Sequence, residues 1–236
     1  MATFLSAVAQ AADEPVTLVS TELAGGQFSL KDGRETGFFA DFFREASERS
    51  QIPIKFRLVP WKRAVREVEK YDNLLIFPLT RTEKREDRFS WITPLMVEEN
   101  CFISGSGSID SLTEARTLNR IVVRRGSSME TYIREQNFPR IFVANDLPSI
   151  ISILKKEKKS AWYTFCDAIR SFADSPQQPS FATAGKPIGR EDIWLASGIN
   201  YSPTPSLRAF VAAVTELVND GVLDKLRSEN RRQNAR

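Results

Sequence analysis

The sequence predicts an α/β fold in which strands and helices alternate along most of the chain. Short runs rich in β-branched residues recur between segments whose apolar residues have helical spacing. The chain has 236 residues, of which 42% are apolar and 27% charged, so it can bury a full hydrophobic core. No run of 18 apolar residues indicates a membrane-spanning helix. Alternation of this kind is typical of mostly parallel sheets covered by helices.

The first part of the chain alternates regularly. In chain order we predict a strand at 16–20, a turn at 31–33, a helix opened by Gly37, a strand at 52–59, a helix from Trp61, a strand at 74–79 and extended segments at 89–96 and 100–104. The helix after Gly37 is indicated by an apolar face with helical spacing, namely Phe38, Phe39, Phe42, Phe43 and Ala46.

The second part begins after a Gly-Ser stretch at 105–108, which is a candidate hinge. The predicted elements are strands at 120–124, 141–144, 161–165, 180–184 and 193–196, and helices at 129–136, 147–154, 167–172 and 207–218. A second break at 185–189 precedes the last predicted strand. Gly221 suits a left-handed helix cap. After a last short helix, the polar and basic tail at 227–236 is expected to fray.

Composition excludes several classes of function. The chain has no histidine, which removes Ser-His and Cys-His catalysis and histidine-bound metals. Two cysteines cannot form a thiolate zinc cage. A net charge of +3 is too small to indicate nucleic-acid binding. We therefore expect no metal, no cofactor and no nucleic-acid partner.

The N-terminal residues 1–12 resemble the back half of a secretory signal peptide. Small and apolar residues precede the polar segment that starts at Asp13, and Ala9-Gln10-Ala11 fits a signal-peptidase site. The alternative is a short tail without structure. The signal interpretation predicts a periplasmic or secreted protein, in which Cys101 and Cys166 could pair. Two separate buried thiols are the alternative, because sequence alone does not give the distance between them.

A cationic loop follows the predicted strand at 74–79. It reads Thr80-Arg81-Thr82-Glu83-Lys84-Arg85 and leads to Phe89. Ligands of open α/β sheets bind beyond the carboxyl ends of strands, and an arginine there can form a bidentate pair with a carboxylate. By itself, such a loop is more often a solvated surface.

Several further motifs occur in order around this loop. They are G-x-x-x-G-F-x-x-D at 33–41, Pro60-Trp61-Lys62-Arg63-Ala64, the block at 122–128 and Asn219-Asp220-Gly221-Val222-Leu223. Together with the loop, they resemble the family 3 extracellular solute-binding proteins, the polar-amino-acid receptors of ABC importers. The resemblance implies a two-lobed type II periplasmic-binding-protein fold with two hinge crossovers. It places residues 13–102 and 193–236 in lobe one and 103–192 in lobe two.

The resemblance also implies a site between the lobes. Arg85 ends the family's T-x-x-R pattern, whose arginine holds the carboxylate of the solute, and Thr80 would add backbone and hydroxyl groups. The turn of Gly126, Ser127 and Ser128 would present amides at a helix N-terminus, which favours an anion.

The half of the site that receives the amino group departs from the family pattern. The usual lobe-two aspartate is missing from 161–165, and Asp167 could be a helix cap instead. Glu22 could receive an ammonium group in its place. Trp61 and Tyr163 could each contact solute or belong to the core. Arg81 and Arg125 could add an anion contact, although a solvated surface role is the commoner one.

The resemblance thus predicts a monomeric receptor that closes on a small carboxylate-bearing solute and delivers it to the membrane permease of an ABC importer. One alternative is an enzyme on the same fold, a dehydratase or lyase, which would need a placed acid or base such as Glu22 or Glu83. Another is a sensing module that reports the solute to a membrane partner.

Overall fold

The computed structural model describes residues 14–169, 172 and 181–233, and it begins with a regular α/β alternation. The predicted signal segment at 1–12 lies outside these residues. The first elements are β1 (Val16–Ser20), β2 (Ser29–Lys31), β3 (Arg34–Thr36), α1 (Phe38–Ser50), β4 (Ile54–Leu58), α2 (Trp61–Lys70) and β5 (Leu75–Thr80). A 3-10 helix at Glu83–Arg88 then leads into the long strand β6 (Phe89–Ser104).

The chain continues with a second α/β series. Its elements are α3 (Leu112–Ala115), β7 (Arg120–Arg124), α4 (Ser128–Glu135), β8 (Ile141–Ala144), α5 (Leu147–Lys156), β9 (Ser160–Phe165), a 3-10 helix at Cys166–Ile169 and β10 (Thr183–Ala184). The long strand β11 (Gly189–Gly198) returns to the first series, and α6 (Pro205–Asn219) and α7 (Val222–Gln233) follow it.

One nine-stranded sheet runs through both series in the order β4-β1-β5-β11-β6-β9-β7-β8, with β10 paired to β6. The pairs of β1 with β4 and β5, and of β7 with β8 and β9, are parallel. Strand β6 pairs with β11 along 89–100 and with β9 along 100–104, so it passes from one half of the sheet to the other. The molecule therefore has two lobes joined by two crossing strands, as predicted.

Each lobe has its own hydrophobic core. In the first lobe, helix α1 buries its predicted apolar face against the sheet and against α6. Phe43 and Phe77 have ring centroids 4.5 Å apart within a cluster of aromatic side chains. In the second lobe, clusters around Trp162 and Tyr163 cover the two faces of β9. The exact lobe boundaries stay a prediction.

The C-terminal helix corrects the predicted frayed tail. Helix α7 extends to Gln233, and Arg227 and Arg231 within it form ion pairs with residues outside the helix. The prediction was wrong because a polar and basic segment carries no apolar periodicity, whereas this helix is held partly by charged contacts. The two long strands were also predicted too short. Strand β6 is continuous, and β11 begins four residues before the predicted start.

Cys101 and Cys166 form a disulfide with Cα atoms 4.9 Å apart, which decides between the two possibilities left open by the sequence. Cys101 lies in β6 and pairs in register with Thr164 of β9, and Cys166 follows β9 directly. The bridge therefore fastens a crossing strand to the neighbouring strand of the second lobe. It closes a loop across 65 residues of sequence separation.

Candidate functional site

A cavity of about 590 Å³, including its mouth, lies between the two lobes beyond the carboxyl ends of β1, β5, β7 and β9. The first lobe contributes Thr21, Leu23, Ala24, Gln27, Trp61, Pro78, Thr80 and Arg85. The second lobe contributes Arg124, Ser127, Ser128, Met129, Trp162, Tyr163, Thr164, Phe165 and Ala168. The structure thus brings together at one cavity all the predicted site residues except Glu22 and Gly126.

Arg85 is buried at the junction of the two lobes, with 7% of its surface exposed. Its Nη1 donates to the carbonyl of Thr80 at 2.9 Å, and its Nη2 donates across the cleft to the carbonyl of Gly126 at 3.0 Å. Burial lowers the pKa of Arg85 to about 10, so the side chain remains charged at neutral pH. Among the described residues, no carboxylate lies within 4 Å of it. This leaves a buried cation able to pair with an incoming anion.

Thr80 and Ser128 face each other across the cleft beside Arg85. The Ser128 hydroxyl lies 3.2 Å from Thr80 Oγ1, and both hydroxyls lie 2.9 Å from Glu191 Oε2. Glu191 belongs to the crossing strand β11, and its charge acts on Arg85. Glu191 was not predicted from the sequence because it lies between the predicted hinge at 185–189 and the predicted strand at 193–196, whereas β11 begins at Gly189.

The turn before α4 uses much of its own hydrogen-bonding capacity. Ser127 is the N-cap of α4 and its hydroxyl accepts from the amide of Glu130, while the Gly126 amide donates to Glu130 Oε2 at 2.7 Å. This capping arrangement satisfies the amides of Gly126 and Glu130 internally. The Gly126 amide, which was expected to favour a ligand anion, is therefore bonded to a side chain of the same helix.

Arg124 is the second cation that lines the cavity, and it was not predicted from the sequence as a site residue. It ends β7, and its Nη1 donates across the cleft to the carbonyl of Glu22 at 2.8 Å. Part of its surface is accessible because it lines the cavity, yet the surrounding protein lowers its pKa to about 10 by burial. None of the carboxylates in the described residues lies within 4 Å of it. The sequence pointed instead to the neighbouring Arg125 as a possible anion contact. Because successive side chains of a strand alternate between its two faces, the two arginines do not line the same side.

Aromatic side chains form much of the cavity wall. Trp61 has 6% of its surface exposed and packs with the core of the first lobe, so it belongs to the core and lines the cavity at once. Tyr163 has 1% exposed and stacks on Tyr132 at 5.4 Å between ring centroids. Burial raises the pKa of Tyr163, which therefore stays neutral. Trp162 adds a further apolar surface.

The two acidic candidates for an ammonium group lie outside the cavity. Glu22 is exposed beside a separate surface depression that Asp146 also lines. Asp167 lies within the 3-10 helix that follows β9 and accepts hydrogen bonds from Arg227 at 3.2 Å and Arg231 at 2.6 Å. Neither carboxylate is part of the cavity wall.

Arg81 and Arg125 also point away from the cavity. Arg81 pairs with Glu86 and lies over the rings of Trp91 and Trp194, with its guanidinium carbon 4.8 Å from the centroid of the latter. Arg125 is exposed and donates to Asn145 Oδ1 at 2.6 Å. Both therefore have surface roles, the commoner of the two predicted possibilities.

A buried ionic cluster joins the crossing strand β6 to helix α7. Glu98 of β6 has 2% of its surface exposed, and its Oε2 accepts from Arg227 Nη2 at 2.6 Å. Arg227 also contacts Asp167, so α7 of the first lobe is tied to both a crossing strand and the second lobe. Burial raises the pKa of Glu98 to about 7, although Arg227 opposes the shift.

We expect this raised pKa to appear in the stability of the protein. The folded protein holds the Glu98 proton up to about pH 7, whereas an unperturbed carboxyl with pKa 4.5 has already released it. The contribution of this group to the free energy of unfolding therefore falls as the pH rises from about 4.5 to about 7. Glu98→Gln should flatten that part of the profile measured by urea unfolding. Parallel profiles for the wild type and Glu98→Gln would contradict the assignment.

Two features are absent from the described part of the chain. No helix there is long and apolar enough to cross a membrane. No group of three or more His, Cys, Asp or Glu residues in that part could hold a metal ion.

Comparison with known proteins gives matches in structure but not in sequence. No family model and no curated protein sequence matches the chain. Among solved structures, the arginine-, lysine-, histidine-binding protein ArtJ from Geobacillus stearothermophilus superposes with a TM-score of 0.76 at 12% identity, over 92% of this chain and 94% of that one. The chain has the two-lobed fold of periplasmic amino-acid-binding proteins.

The names of two other solved structures with this fold give them different roles. A histidine kinase sensor domain with similarity to periplasmic binding proteins matches with a TM-score of 0.76 at 12% identity, over 92% of this chain and 96% of that one. An ancestral amino-acid-binding protein, a precursor of cyclohexadienyl dehydratase, matches with a TM-score of 0.73 at 15% identity, over 91% and 94%. The shared fold therefore does not decide between receptor, sensor and enzyme.

Proposed function

We propose that this chain is a periplasmic receptor of the family 3 solute-binding type that binds a small carboxylate-bearing solute by closure of its lobes. The observation that carries the proposal is Arg85, a buried cation without a carboxylate partner among the described residues, which borders the cavity and contacts both lobes. A carboxylate bound to it would be held where the lobes meet. Binding would then favour the closed state, because the contacts from the second lobe exist only there.

The wider assignment goes beyond what the fold alone shows. We propose that the protein acts as a monomer in the periplasm, is exported by the segment at 1–12 and passes solute to the permease of an ABC importer. The solute-binding proteins among the structural neighbours support the binding of a solute, and so do the cavity and the two arginines that line it.

The enzyme alternative needs a placed acid or base, and the part of the chain that the structure describes offers the cavity no carboxylate for this role. No Asp or Glu of the described residues lines the cavity, and the sequence contains no histidine. Glu83 lines a different depression on the outer side of Arg85, and Glu22 is exposed. General acid–base catalysis requires such a group within hydrogen-bonding reach of the substrate, so the cavity supports binding better than turnover.

A thermal-shift screen of amino acids, organic acids and small peptides tests this function. A true solute at 100 times its dissociation constant should add about 2.7 kcal/mol to the free energy of unfolding. Calorimetry should then give one site per chain, and the solute should be recovered unchanged after long incubation. Conversion of the solute into a product would contradict the receptor assignment and favour the enzyme.

A further inference from the structure

The cavity carries a charge distribution that does not suit a zwitterion. Arg85 enters it from the first lobe and Arg124 from the second, and neither has a carboxylate within 4 Å among the described residues. No acidic side chain lines the wall in that part of the chain. An α-amino acid would bring an ammonium group into a space with two guanidinium groups and no carboxylate to receive it, which costs free energy.

Glu191 is the acidic group nearest to this space, and it is already engaged. It does not line the cavity, because Thr80 and Ser128 lie between it and the cavity and both hydroxyls contact its Oε2. Its charge acts on Arg85 through space, as the charges of Glu22 and Asp146 act on Arg124, so each arginine has carboxylates nearby but, among the described residues, none within 4 Å. Arg124 is therefore the group for which a second ligand anion supplies a partner.

The rest of the wall fits a compact solute with an apolar middle. Trp61, Met129 and Trp162 line the same cavity as the two arginines and provide apolar surface. Trp162 Nε1 and Gln27 Oε1 are buried without a hydrogen-bond partner in the described part of the chain. The indole N–H can donate to a carboxylate oxygen, and the Gln27 amide can present either its oxygen or its NH₂ group after rotation.

We propose that the solute is a small dicarboxylate without an α-amino group, with one carboxylate on Arg85 and the other on Arg124. This inference rests on the proposed function and names its substrate class. Because the two guanidinium groups come from different lobes, a dicarboxylate of suitable length would bridge the cleft directly. Its two charges would also replace the water that both guanidinium groups lose when the lobes close.

Calorimetry with matched trios of probes tests the proposal on the wild-type protein. One trio is glutarate, glutamate and pentanoate, and the other is adipate, 2-aminoadipate and hexanoate. Within the trio of fitting length, we expect the dicarboxylate to bind at least tenfold more tightly than both counterparts. An amino acid that binds more tightly than its dicarboxylate, with loss of binding in Arg85→Ala, would overturn the dicarboxylate assignment and leave the receptor function standing. Absence of binding by every probe of both trios would overturn the dicarboxylate assignment, while the wider thermal-shift screen tests the receptor function separately.

Variants of Arg124 test the second contact. Arg124→Gln should abolish the preference for dicarboxylate over monocarboxylate, so that the ratio of the two affinities falls to about one. Arg125→Gln, which changes the exposed neighbour, should leave this ratio unchanged. Arg124→Lys keeps the charge and serves if Arg124→Gln does not fold; it should retain part of the preference. A preference that is unaltered in a folded Arg124 variant would overturn the role of Arg124.

Discussion

Replacing Arg85 with alanine should weaken solute binding by about 2–5 kcal/mol, because the carboxylate would enter the closed cleft without its charged partner. The side chain also donates to the Thr80 carbonyl of its own lobe and, across the cleft, to the Gly126 carbonyl, so its loss removes one contact between the lobes. Isothermal titration calorimetry of the wild type and of Arg85→Ala measures the difference directly.

Arg88→Ala is the matched control for this measurement. Arg88 lies in the same 3-10 helix as Arg85, but it is exposed and pairs with Glu69. We expect its replacement to leave the affinity within the range of surface substitutions, about 0.5 kcal/mol. An Arg85→Ala protein that is folded and keeps the wild-type affinity would contradict the role assigned to Arg85.

Removal of the disulfide should cost about 4 kcal/mol in the free energy of unfolding. The bond closes a loop across 65 residues of sequence, and the chain-entropy model gives a stabilisation of about this size for such a loop. Both cysteines should be replaced together by serine, so that no free thiol remains. For a chain of this length the change corresponds to a fall in the midpoint of thermal unfolding by roughly 10 °C.

Reduction of the wild-type protein provides the control for the cysteine variant. A reducing agent should lower the midpoint of the wild type toward that of the double variant and leave the variant unchanged. Two alkylated cysteines in unreduced, unfolded protein that was expressed in the periplasm would show that the bond does not form there. A double variant as stable as the wild type would contradict its stabilising role.

The regular elements of both lobes could be predicted because their patterns are local. The apolar face of α1, from Phe38 to Ala46, repeats at helical spacing, and it is buried as predicted. The cavity position of Arg85, which follows the predicted strand at 74–79, was predicted from the T-x-x-R pattern of the resemblance, because a cationic loop by itself is more often a solvated surface. Ligands of α/β sheets bind beyond such strand ends.

The remaining features depend on contacts between distant segments. Arg227 binds Glu98 across a sequence separation of 129 residues, so nothing near the tail indicated that α7 would be ordered. Glu191 meets Ser128 only because β11 crosses between the lobes. Arg124 and Arg125 are adjacent in the sequence, which does not tell which of them faces the cavity. The register of β7 in the structure shows that it is Arg124.

The most direct test of the central claim is small-angle X-ray scattering with and without a saturating solute found in the screen. Closure of two lobes around a bound carboxylate predicts a smaller radius of gyration in the presence of solute. Arg85→Ala at the same solute concentration should show no such decrease. Identical scattering of the wild-type protein with and without saturating solute would contradict the account.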